Sequence, residues 1–433
     1  MFFLRGELDK MDQLCLHHIE LGVKDGSKLI QKLTSQYSFK LIATRTSAVA
    51  KQWVLTTGQA RFLLTEITSE VYEEIIADPF VNLWFDPNRL GTNGSERERN
   101  SKLNYDSAFD VAIQVQDIEK CVKKLIDSGV KCLRPIQCHK SDQGDVKTAT
   151  IVSCVGDVKH TLVQSNGYRG LFMPGFAPVT SDGTVNTTSV NGSHNVNNVH
   201  LTHVDHVTFV CEMGTLSDVL SWYEKHFGMA RFTINRDEDE KEGMVIQGDN
   251  IGLRMMAFEY WKCAEVGLTT PSRNQDRITF VLAESLPCQG PSQVDTFLQQ
   301  HNGPGVQHIA LHTPDIISTI AGLRQKGVKF AEPPSCYYME EGKLEEIQTI
   351  GLKPELLKSQ GILIDMEADA DKQDSADTHR YLMQKFTLPL FDRDTLFLEI
   401  IQRCGASGFG FGNIKALWRS VSAYLSKSGS QNL

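Results

Sequence analysis

Apolar residues along this chain follow two periods, and the order of those periods predicts the architecture. Strand-like runs of apolar residues begin near Asp110 and His308, and each leads into an amphipathic stretch with helical spacing. Each stretch ends at a glycine suited to cap a helix, and another strand-like run follows. We therefore predict units in which a strand is followed by a helix and then by further strands.

Some of these units repeat each other. The segment 110–131 aligns without gaps with 308–329, and a looser match joins 17–21 to 205–209. Repetition of this kind predicts an α+β chain of four βαβββ modules in two similar halves, closed by a C-terminal helix. The predicted boundaries are a first domain at 13–166, a linker at 167–202, a second domain at 203–404, and a lid helix with a tail at 405–433.

Polar stretches interrupt this pattern at two places. Residues 181–198 are rich in Ser, Thr, Asn and Gly and lack periodicity, which is typical of a linker. Residues 367–380 lie between two strand-like runs and predict a long, solvated hairpin loop. Beyond them, apolar residues between Ile414 and Leu425 form one helical stripe.

Composition narrows the class of protein. Of the 433 residues, 41% are hydrophobic and 22% are charged, as in soluble globular chains, and the length predicts two or three domains. A net charge of −9 without a basic block argues against nucleic-acid and anionic-membrane partners. The ten cysteines form no CxxC pair, which favours free thiols in a reducing compartment. No apolar run reaches transmembrane length, and the first residues resemble neither a secretory signal nor a typical mitochondrial transit peptide.

A single carboxylate stands inside the strand-like run 396–402. There an isolated, ionised Glu399 would cost several kcal/mol unless a cation or hydrogen-bond donors compensate it. His206 and His308 lie in two other strand-like runs that head sister modules, so the repeat lets them face one cavity. Two histidines and one glutamate form the facial triad of non-heme Fe(II) oxygenases, which leaves coordination positions open. We predict His206, His308 and Glu399 as metal ligands and as the catalytic centre.

A purely structural role for the two histidines is the alternative. Taken singly, a histidine in a strand is more often a hydrogen-bonded core residue than a ligand. The buried Glu399 and the repeat favour the metal, and strand alternation gives each candidate small or apolar neighbours on its face. In the first half, His18, Asp110 and Thr161 take the corresponding positions. We therefore predict that the first half keeps the fold without a metal.

Several longer motifs match a known family. They are GPGVQHIAL at 303–311, QKFT at 384–387, LFLEIIQR at 396–403, GFGFGN at 408–413 and GYRGLFMPGF at 167–176. These segments resemble 4-hydroxyphenylpyruvate dioxygenase, an iron enzyme of the vicinal-oxygen-chelate fold, and the match is dense over 200–425 and sparse before 165. The resemblance implies two vicinal-oxygen-chelate domains, Fe(2+) as cofactor, and His206, His308 and Glu399 as its ligands.

The resemblance also implies which residues contact an aromatic 2-oxo acid. Amides would hold its polar groups and phenylalanines would flank its ring, while glycines of the motif at 408–413 would act as the hinge of a C-terminal lid. Strand alternation, however, points Gln307 away from the face of His308. The implied substrate-binding residues are Gln293, Gln307, Gln384, Phe386, Phe409 and Ile414.

Three positions depart from the parent dioxygenase of this family. Met255 and Ala283 replace polar pocket residues, and Ile414 replaces a phenylalanine. An aliphatic residue at Ile414 resembles the hydroxymandelate synthases, because a less crowded wall lets the benzylic carbon of the substrate, rather than its ring, reach the oxidant. The resemblance is closest to one branch of the family. For that branch it implies conversion of 4-hydroxyphenylpyruvate and O2 to 4-hydroxymandelate and CO2, in mitochondria, within the tyrosine-derived synthesis of the ubiquinone head group.

Three alternatives stay open at this point. The first is the parent reaction, which gives homogentisate; the second is a non-catalytic binding protein of the same fold; the third is another metal isomerase or ring-cleaving dioxygenase. The expected partners are the small aromatic 2-oxo acid and O2, with no nucleic acid and no transmembrane segment. A homodimer is a candidate assembly, and the cytoplasm is the alternative compartment.

Overall fold

The structure of the chain is a computed structural model. It describes most of the sequence, including both repeated halves and the start of the C-terminal segment. The described residues are 14–83, 106–179, 199–232, 238–239, 242–248, 251–260, 278–287, 292–367 and 379–417. The predicted linker stretch 181–198, the middle of the predicted hairpin loop at 367–380 and the end of the C-terminal stripe lie outside these residues.

The first half folds around one mixed sheet. Its nine described strands follow the order β6-β7-β8-β5-β1-β4-β3-β2-β9. The central pair β1 and β5 is antiparallel, whereas β1 pairs in parallel with β4 and β5 in parallel with β8. The strands β1 to β9 span Cys15–Gly22, Lys40–Thr46, Ala50–Thr57, Ala60–Ile67, Ser107–Gln114, Cys132–His139, Val146–Val152, Lys159–Gln164 and Ala177–Pro178.

The second half repeats this arrangement. The described strands follow the order β11-β13-β14-β10-β15-β18-β17-β16, and β12 pairs with β13 beside β11. Again the central pair, β10 and β15, is antiparallel and each of its strands has one parallel neighbour. The strands β10 to β18 span Val204–Val210, Ala230–Phe232, Met244–Gly248, Ile251–Tyr260, Ile278–Ser285, Gly305–His312, Leu363–Met366, Tyr381–Phe386 and Phe397–Cys404.

The predicted α+β fold of four βαβββ modules is confirmed. The third module has an added irregularity, because β11 and β12 pair with successive parts of β13 and so form one interrupted strand. The strands β16 and β17, which flank the predicted hairpin loop, pair in antiparallel fashion. Part of the stretch predicted as a linker belongs to the first sheet, since β9 pairs with β2.

Helices follow the first strand of each module. Three of these helices begin in the same way: the carboxylates of Asp25, Asp117 and Asp315 accept hydrogen bonds from the backbone N–H groups three residues later. Such N-caps satisfy donors that the first helical turn leaves open. The described helices α1 to α8 span Gly26–Ser35, Tyr72–Ala77, Ile118–Asp127, Leu216–Phe227, Gln293–His301, Ile316–Gln325, Glu341–Thr349 and Pro354–Gln360.

The central strands carry the same irregularity in all four modules. A β-bulge places one extra residue directly before each of the corresponding positions His18, Asp110, His206 and His308. Bulges re-aim side chains and strengthen the local twist of a strand. Each module therefore presents two consecutive side chains at the centre of its sheet. The extra residues are His17, Phe109, Asp205 and Gln307.

One apolar core extends through both halves. It contains residues of β1 and β5 together with residues of β10 and β15, and the helices pack into it. A polar bridge crosses the same region, because the imidazole of His160 lies 2.8 Å from the hydroxyl of Tyr223. The halves are thus packed against each other rather than merely tethered. Among the described helices, none is both long and apolar enough to cross a membrane.

Candidate metal centre

Three neighbouring strands bring the predicted ligands together. His206 lies on β10, His308 on β15 and Glu399 on β18, and all three side chains are buried. Oε2 of Glu399 lies 3.4 Å from Nε2 of His206 and 3.3 Å from Nε2 of His308. The three candidate ligand atoms lie within 4.8 Å of one another. Within the described part of the chain, this is the group of histidines, cysteines and carboxylates that could hold a metal ion.

The carboxylate of Glu399 fits a cation that would complete its contacts. Its Oε1 atom is buried and has no hydrogen-bond partner among the described residues. Burial by itself raises the pKa of a carboxyl, but the facing imidazoles of His206 and His308 outweigh burial and hold the pKa of Glu399 at about 2. The group is therefore ionised at neutral pH. A buried, ionised oxygen without a donor is costly unless a cation binds it.

Each imidazole is oriented by the residue that the bulge places before it. Nδ1 of His206 donates to Oδ1 of Asp205 over 2.8 Å, and Nδ1 of His308 donates to Oε1 of Gln307 over 3.1 Å. These bonds fix the tautomers, so that both Nε2 atoms face Glu399. The hydroxyl of Thr208 lies 2.9 Å from Nε2 of His308. Two histidine nitrogens and one carboxylate oxygen suit a divalent transition metal with open positions.

The two histidines differ in their electrostatic surroundings. Burial lowers the pKa of both, but for His206 the carboxylates Glu399 and Asp205 outweigh burial and raise it overall. His308 meets the neutral amide of Gln307 instead, and burial leaves its pKa below the ordinary value. Bonding to Asp205 makes His206 the more electron-rich ligand of the pair.

Arg403 connects this centre to the C-terminal segment. It forms two hydrogen bonds of 2.7 Å with the carboxylate of Asp205, which opposes the effect of burial and holds the pKa of Asp205 well below its usual range. The same guanidinium donates to the carbonyl oxygen of Gly408 over 2.6 Å and lies over the ring of Phe409. A single side chain at the end of the Glu399 strand thus supports both a ligand and the covering segment.

Aromatic rings line the space beside the ligands. The ring of Phe409 meets His206 edge-on with centroids 4.9 Å apart, and the ring of Phe397 stacks on His308 at 4.9 Å. Phe386 lies farther out, 6.3 Å from His308 and 6.0 Å from Phe397. The structure therefore places both predicted phenylalanines, Phe386 and Phe409, at the centre and adds Phe397.

An apolar cluster closes the other side of this space. Phe409 packs there with Met255 and Ala283, which are cross-strand partners on β13 and β14, and Ile414 packs against the cluster. All three positions that depart from the parent dioxygenase, Met255, Ala283 and Ile414, therefore lie in or against the same cluster. The candidate metal centre is therefore bordered by apolar side chains on this side.

The three predicted glutamines have three different environments. Gln384 is buried, and its Oε1 accepts a hydrogen bond of 3.0 Å from Nδ2 of Asn413. Gln307 bonds to His308, so the expectation from strand alternation was wrong: the bulge places both side chains within reach of each other. Gln293 is exposed on the first turn of α5, whereas that helix buries Val294 and Phe297. This position argues against Gln293 as a substrate-binding amide.

The C-terminal segment covers the centre in this structure. Gly410 has φ +72°, a backbone conformation that strains any residue with a side chain, and a Cβ atom there would collide with Oε1 of Gln384 unless that amide moved. The carboxylate of Asp365 accepts from the N–H of Gly412 over 3.0 Å, near the start of a helix that runs from 411 to the last described residue, 417. The segment predicted as a lid is therefore anchored over the site by its own backbone.

The sequence did not single out Asp205 or Arg403 as functional residues. A usable signal exists for both. Asp205 precedes His206 directly, and Arg403 lies four residues after Glu399, so alternation places the two side chains on the same face of the strand. What the sequence does not display is the bulge, which depends on pairing with a distant strand. Without the bulge, Asp205 would point to the opposite face.

The first half holds a different set of groups at the equivalent place. Asp110 accepts hydrogen bonds from the backbone N–H and the hydroxyl of Thr161 and from Nδ2 of Asn82. His18 bonds to His17 and packs against Phe172. The carboxylate oxygens there are thus satisfied by the protein itself, in contrast to Glu399.

Residues 203–345, which contain the candidate ligands His206 and His308, match the model of the Glyoxalase/Bleomycin resistance protein/Dioxygenase superfamily. Similar proteins narrow this class. The chain is 33% identical over 419 residues to the 4-hydroxyphenylpyruvate dioxygenase-like protein of Homo sapiens, covering 96% of this chain and 98% of the relative. It is also 33% identical to 4-hydroxyphenylpyruvate dioxygenase of Tetrahymena thermophila, covering 78% and 75%.

A solved structure is also similar to this chain over nearly its whole length. A triple mutant of 4-hydroxymandelate synthase from Streptomyces coelicolor superposes with a TM-score of 0.67 and 26% identity, covering 95% of this chain and 98% of that chain. The chain belongs to the family of 4-hydroxyphenylpyruvate dioxygenase and the 4-hydroxyphenylpyruvate dioxygenase-like proteins. The predicted family is confirmed.

Proposed function

We propose that this dioxygenase uses Fe(II) held by His206, His308 and Glu399 to convert 4-hydroxyphenylpyruvate and O2 to 4-hydroxymandelate and CO2. The observation that carries the proposal is the cluster itself: two oriented Nε2 atoms facing an ionised carboxylate whose Oε1 has no partner among the described residues. Bound iron would supply coordination positions at which a 2-oxo acid and O2 react.

The protein's own residues would provide orientation and dryness. Asp205 and Gln307 hold the two imidazoles in one tautomer, and Arg403 holds Asp205. Phe386 and Phe409 would flank the substrate ring, and the buried amide of Gln384 would bind a polar group of the substrate in exchange for its bond to Asn413. The covering segment would exclude water during the reaction.

The choice of 4-hydroxymandelate as product depends on the apolar cluster around Ile414. An aliphatic side chain there, beside Met255 and Ala283, leaves more room than a second phenylalanine would. We infer that the substrate can then turn its benzylic carbon toward the metal. The similarity to a hydroxymandelate synthase over nearly the whole chain is consistent with this choice.

Homogentisate is the second candidate product. The relative from Tetrahymena thermophila, a 4-hydroxyphenylpyruvate dioxygenase, has the same 33% identity as the human dioxygenase-like protein, although over 78% rather than 96% of this chain. Both products arise from the same substrate and the same three ligands, so the candidates differ only in where the substrate ring lies. A mitochondrial location and a role in supplying the ubiquinone head group stay predictions from the resemblance.

The deciding experiment is oxygen uptake by protein loaded with Fe(II) under anaerobic conditions and then given 4-hydroxyphenylpyruvate and O2. We expect substrate-dependent uptake, and 4-hydroxymandelate as the main product by mass and retention time. Homogentisate as the main product would replace the proposed reaction with the parent one. Iron-loaded protein without any substrate-dependent uptake would favour the non-catalytic alternative.

A further inference from the structure

A threonine hydroxyl lies at the candidate metal centre beside the three candidate ligands. Thr208 follows His206 by two residues on β10, and it is the antiparallel partner of His308 on β15. Its side chain is buried, and its Oγ1 atom lies 2.9 Å from Nε2 of His308, the nitrogen that faces Glu399. The hydroxyl therefore contacts a candidate ligand atom without being a ligand itself.

The hydroxyl of Thr208 is the donor in this contact. Nδ1 of His308 donates to Oε1 of Gln307, so Nε2 of the neutral ring carries a lone pair and no proton. A metal ion bound to Nε2 uses the same lone pair. When His308 binds a metal, Thr208 therefore loses its acceptor. A buried hydroxyl without an acceptor is unfavourable, so the metal-loaded protein needs another acceptor at this place.

Glu399 is not the residue that faces this hydroxyl. Across the strands β10, β15 and β18, Thr208 pairs with His308, and His308 pairs with Phe397. Glu399 belongs to the neighbouring row of paired residues, which begins at His206. The row that contains Thr208 thus continues to an aromatic ring instead of a carboxylate. We expect the new acceptor to come from a bound molecule.

The hydroxyl also lies between the ligands and the apolar cluster. Alternation along β10 puts His206, Thr208 and Val210 on one face of the strand. Val210 is a buried member of the cluster that contains Phe409. On its other side, Thr208 pairs in parallel with Val281, which belongs to the same cluster. A molecule that extends from the metal ligands into the apolar space would therefore contact this hydroxyl.

We propose that Thr208 is a substrate-binding residue whose hydroxyl donates a hydrogen bond to a carboxylate oxygen of the 2-oxo acid. This inference rests on the proposed function, because its ligand is a 2-oxo acid bound beside the metal. Hydrogen bonds to an ionised oxygen are stronger than those between neutral groups. The hydroxyl thus exchanges His308 for the substrate and holds the acid group at the edge of the apolar cluster, so that the aromatic ring lies inside it.

Thr208→Val tests the contact, because valine keeps the branched shape of threonine and lacks the hydroxyl. Binding is measured by calorimetry on the full chain loaded with Fe(II) under anaerobic conditions, so that no turnover takes place. We expect 4-hydroxyphenylpyruvate to bind Thr208→Val at least about tenfold more weakly than wild type. Thr208→Ser keeps the hydroxyl, and we expect its affinity to stay within about threefold of wild type.

Iron affinity separates this role from structural support of the ligands. Competition with a chelator measures it in the absence of substrate. Thr208→Val removes no ligand and frees Nε2 of His308 from a competing hydrogen bond, so we expect Fe(II) to bind as tightly as in wild type or up to about tenfold more tightly. A residue that only supports the centre would lose affinity for iron and for the 2-oxo acid together.

Phenylpyruvate locates the contact on the substrate, because it keeps the 2-oxo acid and lacks the phenol. We expect Thr208→Val to lose the same factor of affinity for both acids. The matched control Thr150→Val removes another buried hydroxyl, which lies 3.1 Å from Oγ1 of Thr161 in the first half, and should stay within about twofold of wild type. Thermal unfolding checks that each variant is folded, and Thr208→Ala replaces Thr208→Val if valine prevents folding.

The outcomes distinguish this contact from the reaction itself. Equal affinity of wild type and Thr208→Val for 4-hydroxyphenylpyruvate would reject the contact and leave the proposed reaction in place. Weaker iron binding in Thr208→Val, or a loss restricted to 4-hydroxyphenylpyruvate, would also overturn it, in favour of ligand support or of a contact with the phenol. Iron-loaded protein that binds the acid through Thr208 but consumes no oxygen would reject the reaction and keep the contact. Iron-loaded wild type that binds neither acid would remove both.

Discussion

The two halves of this chain build the same sheet around the same bulged central strands, and they differ in a few side chains at its centre. In the second half, His308 pairs with Thr208 on one side and Phe397 on the other. In the first half, Asp110 pairs with Glu20 and Lys159 at the same two places. The corresponding positions are His308 and Asp110, Thr208 and Glu20, Phe397 and Lys159, and Glu399 and Thr161.

This difference separates what the fold requires from what the chemistry requires. Both halves keep the capped helices, the parallel outer pairs and the bulges, so none of these features depends on a metal. In the first half the carboxylate of Asp110 is satisfied by Thr161 and Asn82. In the second half Oε1 of Glu399 has no partner among the described residues, and two Nε2 atoms face the carboxylate. The unfilled oxygen, rather than the fold, marks the half that can bind a metal.

The largest effect is expected from removing the carboxylate. Glu399→Ala takes away one of three ligands, and we expect loss of stoichiometric iron together with turnover below about 1% of wild type. Iron content by elemental analysis and oxygen uptake measure the two effects. The matched control is Thr161→Ala at the corresponding position, which should lower the free energy of unfolding by about 1–3 kcal/mol and leave the iron content unchanged. Turnover that persists in Glu399→Ala would remove this residue from the site.

Changing a residue that orients a ligand should weaken iron binding less than removing the ligand itself does. Asp205→Asn keeps an oxygen for Nδ1 of His206 but breaks the ion pair with Arg403, and we expect iron affinity to fall about 10–100-fold. Competition with a chelator measures it. Asp78→Asn is the matched control, because Asp78 also pairs with an arginine in the first half, where one nitrogen of Arg45 donates to both carboxylate oxygens. Equal iron affinity in both variants would mean that Asp205 has only a structural role.

Prediction from sequence was accurate where local periodicity carries the information. Alternation and repetition predicted the modules and a shared cavity for His206, His308 and Glu399. The structure places these three residues on neighbouring strands. The prediction failed where the geometry depends on distant pairing. The bulge at Gln307 arises between β10 and β15, about 100 residues apart in sequence. Alternation within a single strand cannot display it.

Of the residues predicted only from the family resemblance, some lie beside the candidate metal centre and one does not. Phe409 lies in the apolar cluster beside the centre and Ile414 packs against it, while their contact with substrate stays a prediction. Gln293 is exposed, because helical spacing on α5 turns Val294 and Phe297 toward the core and leaves Gln293 outside. A match to a family motif therefore does not show which way a side chain points. The helical spacing of the neighbouring apolar residues shows it better.

The apolar cluster around Phe409 and Ile414 gives a test of which product the enzyme forms. Ile414→Phe adds a ring beside Phe409, and we expect the product ratio to shift severalfold from 4-hydroxymandelate toward homogentisate, because the crowded wall turns the substrate ring toward the metal. Chromatography of the products from iron-loaded enzyme measures the ratio. Leu417→Phe, one turn further along and packed against the main core, should leave the ratio unchanged. An identical ratio in both variants would show that Ile414 does not direct the reaction.

The smallest effect is expected from the carboxyl pair of the first half. Burial and Asp110 raise the pKa of Glu20 in the folded protein, so folding favours its protonated form. The stability that this proton contributes is fully present below the unfolded pKa and is lost as the pH rises toward the folded pKa. Glu20→Gln cannot ionise, and its amide oxygen can still accept from Thr65. We expect urea unfolding at pH 5 and pH 8 to show a smaller loss of stability with rising pH than wild type shows, while the exposed control Glu73→Gln follows wild type. A steeper loss in Glu20→Gln would mean that this carboxyl is ionised in the folded protein and stabilised by Lys159 and Arg134.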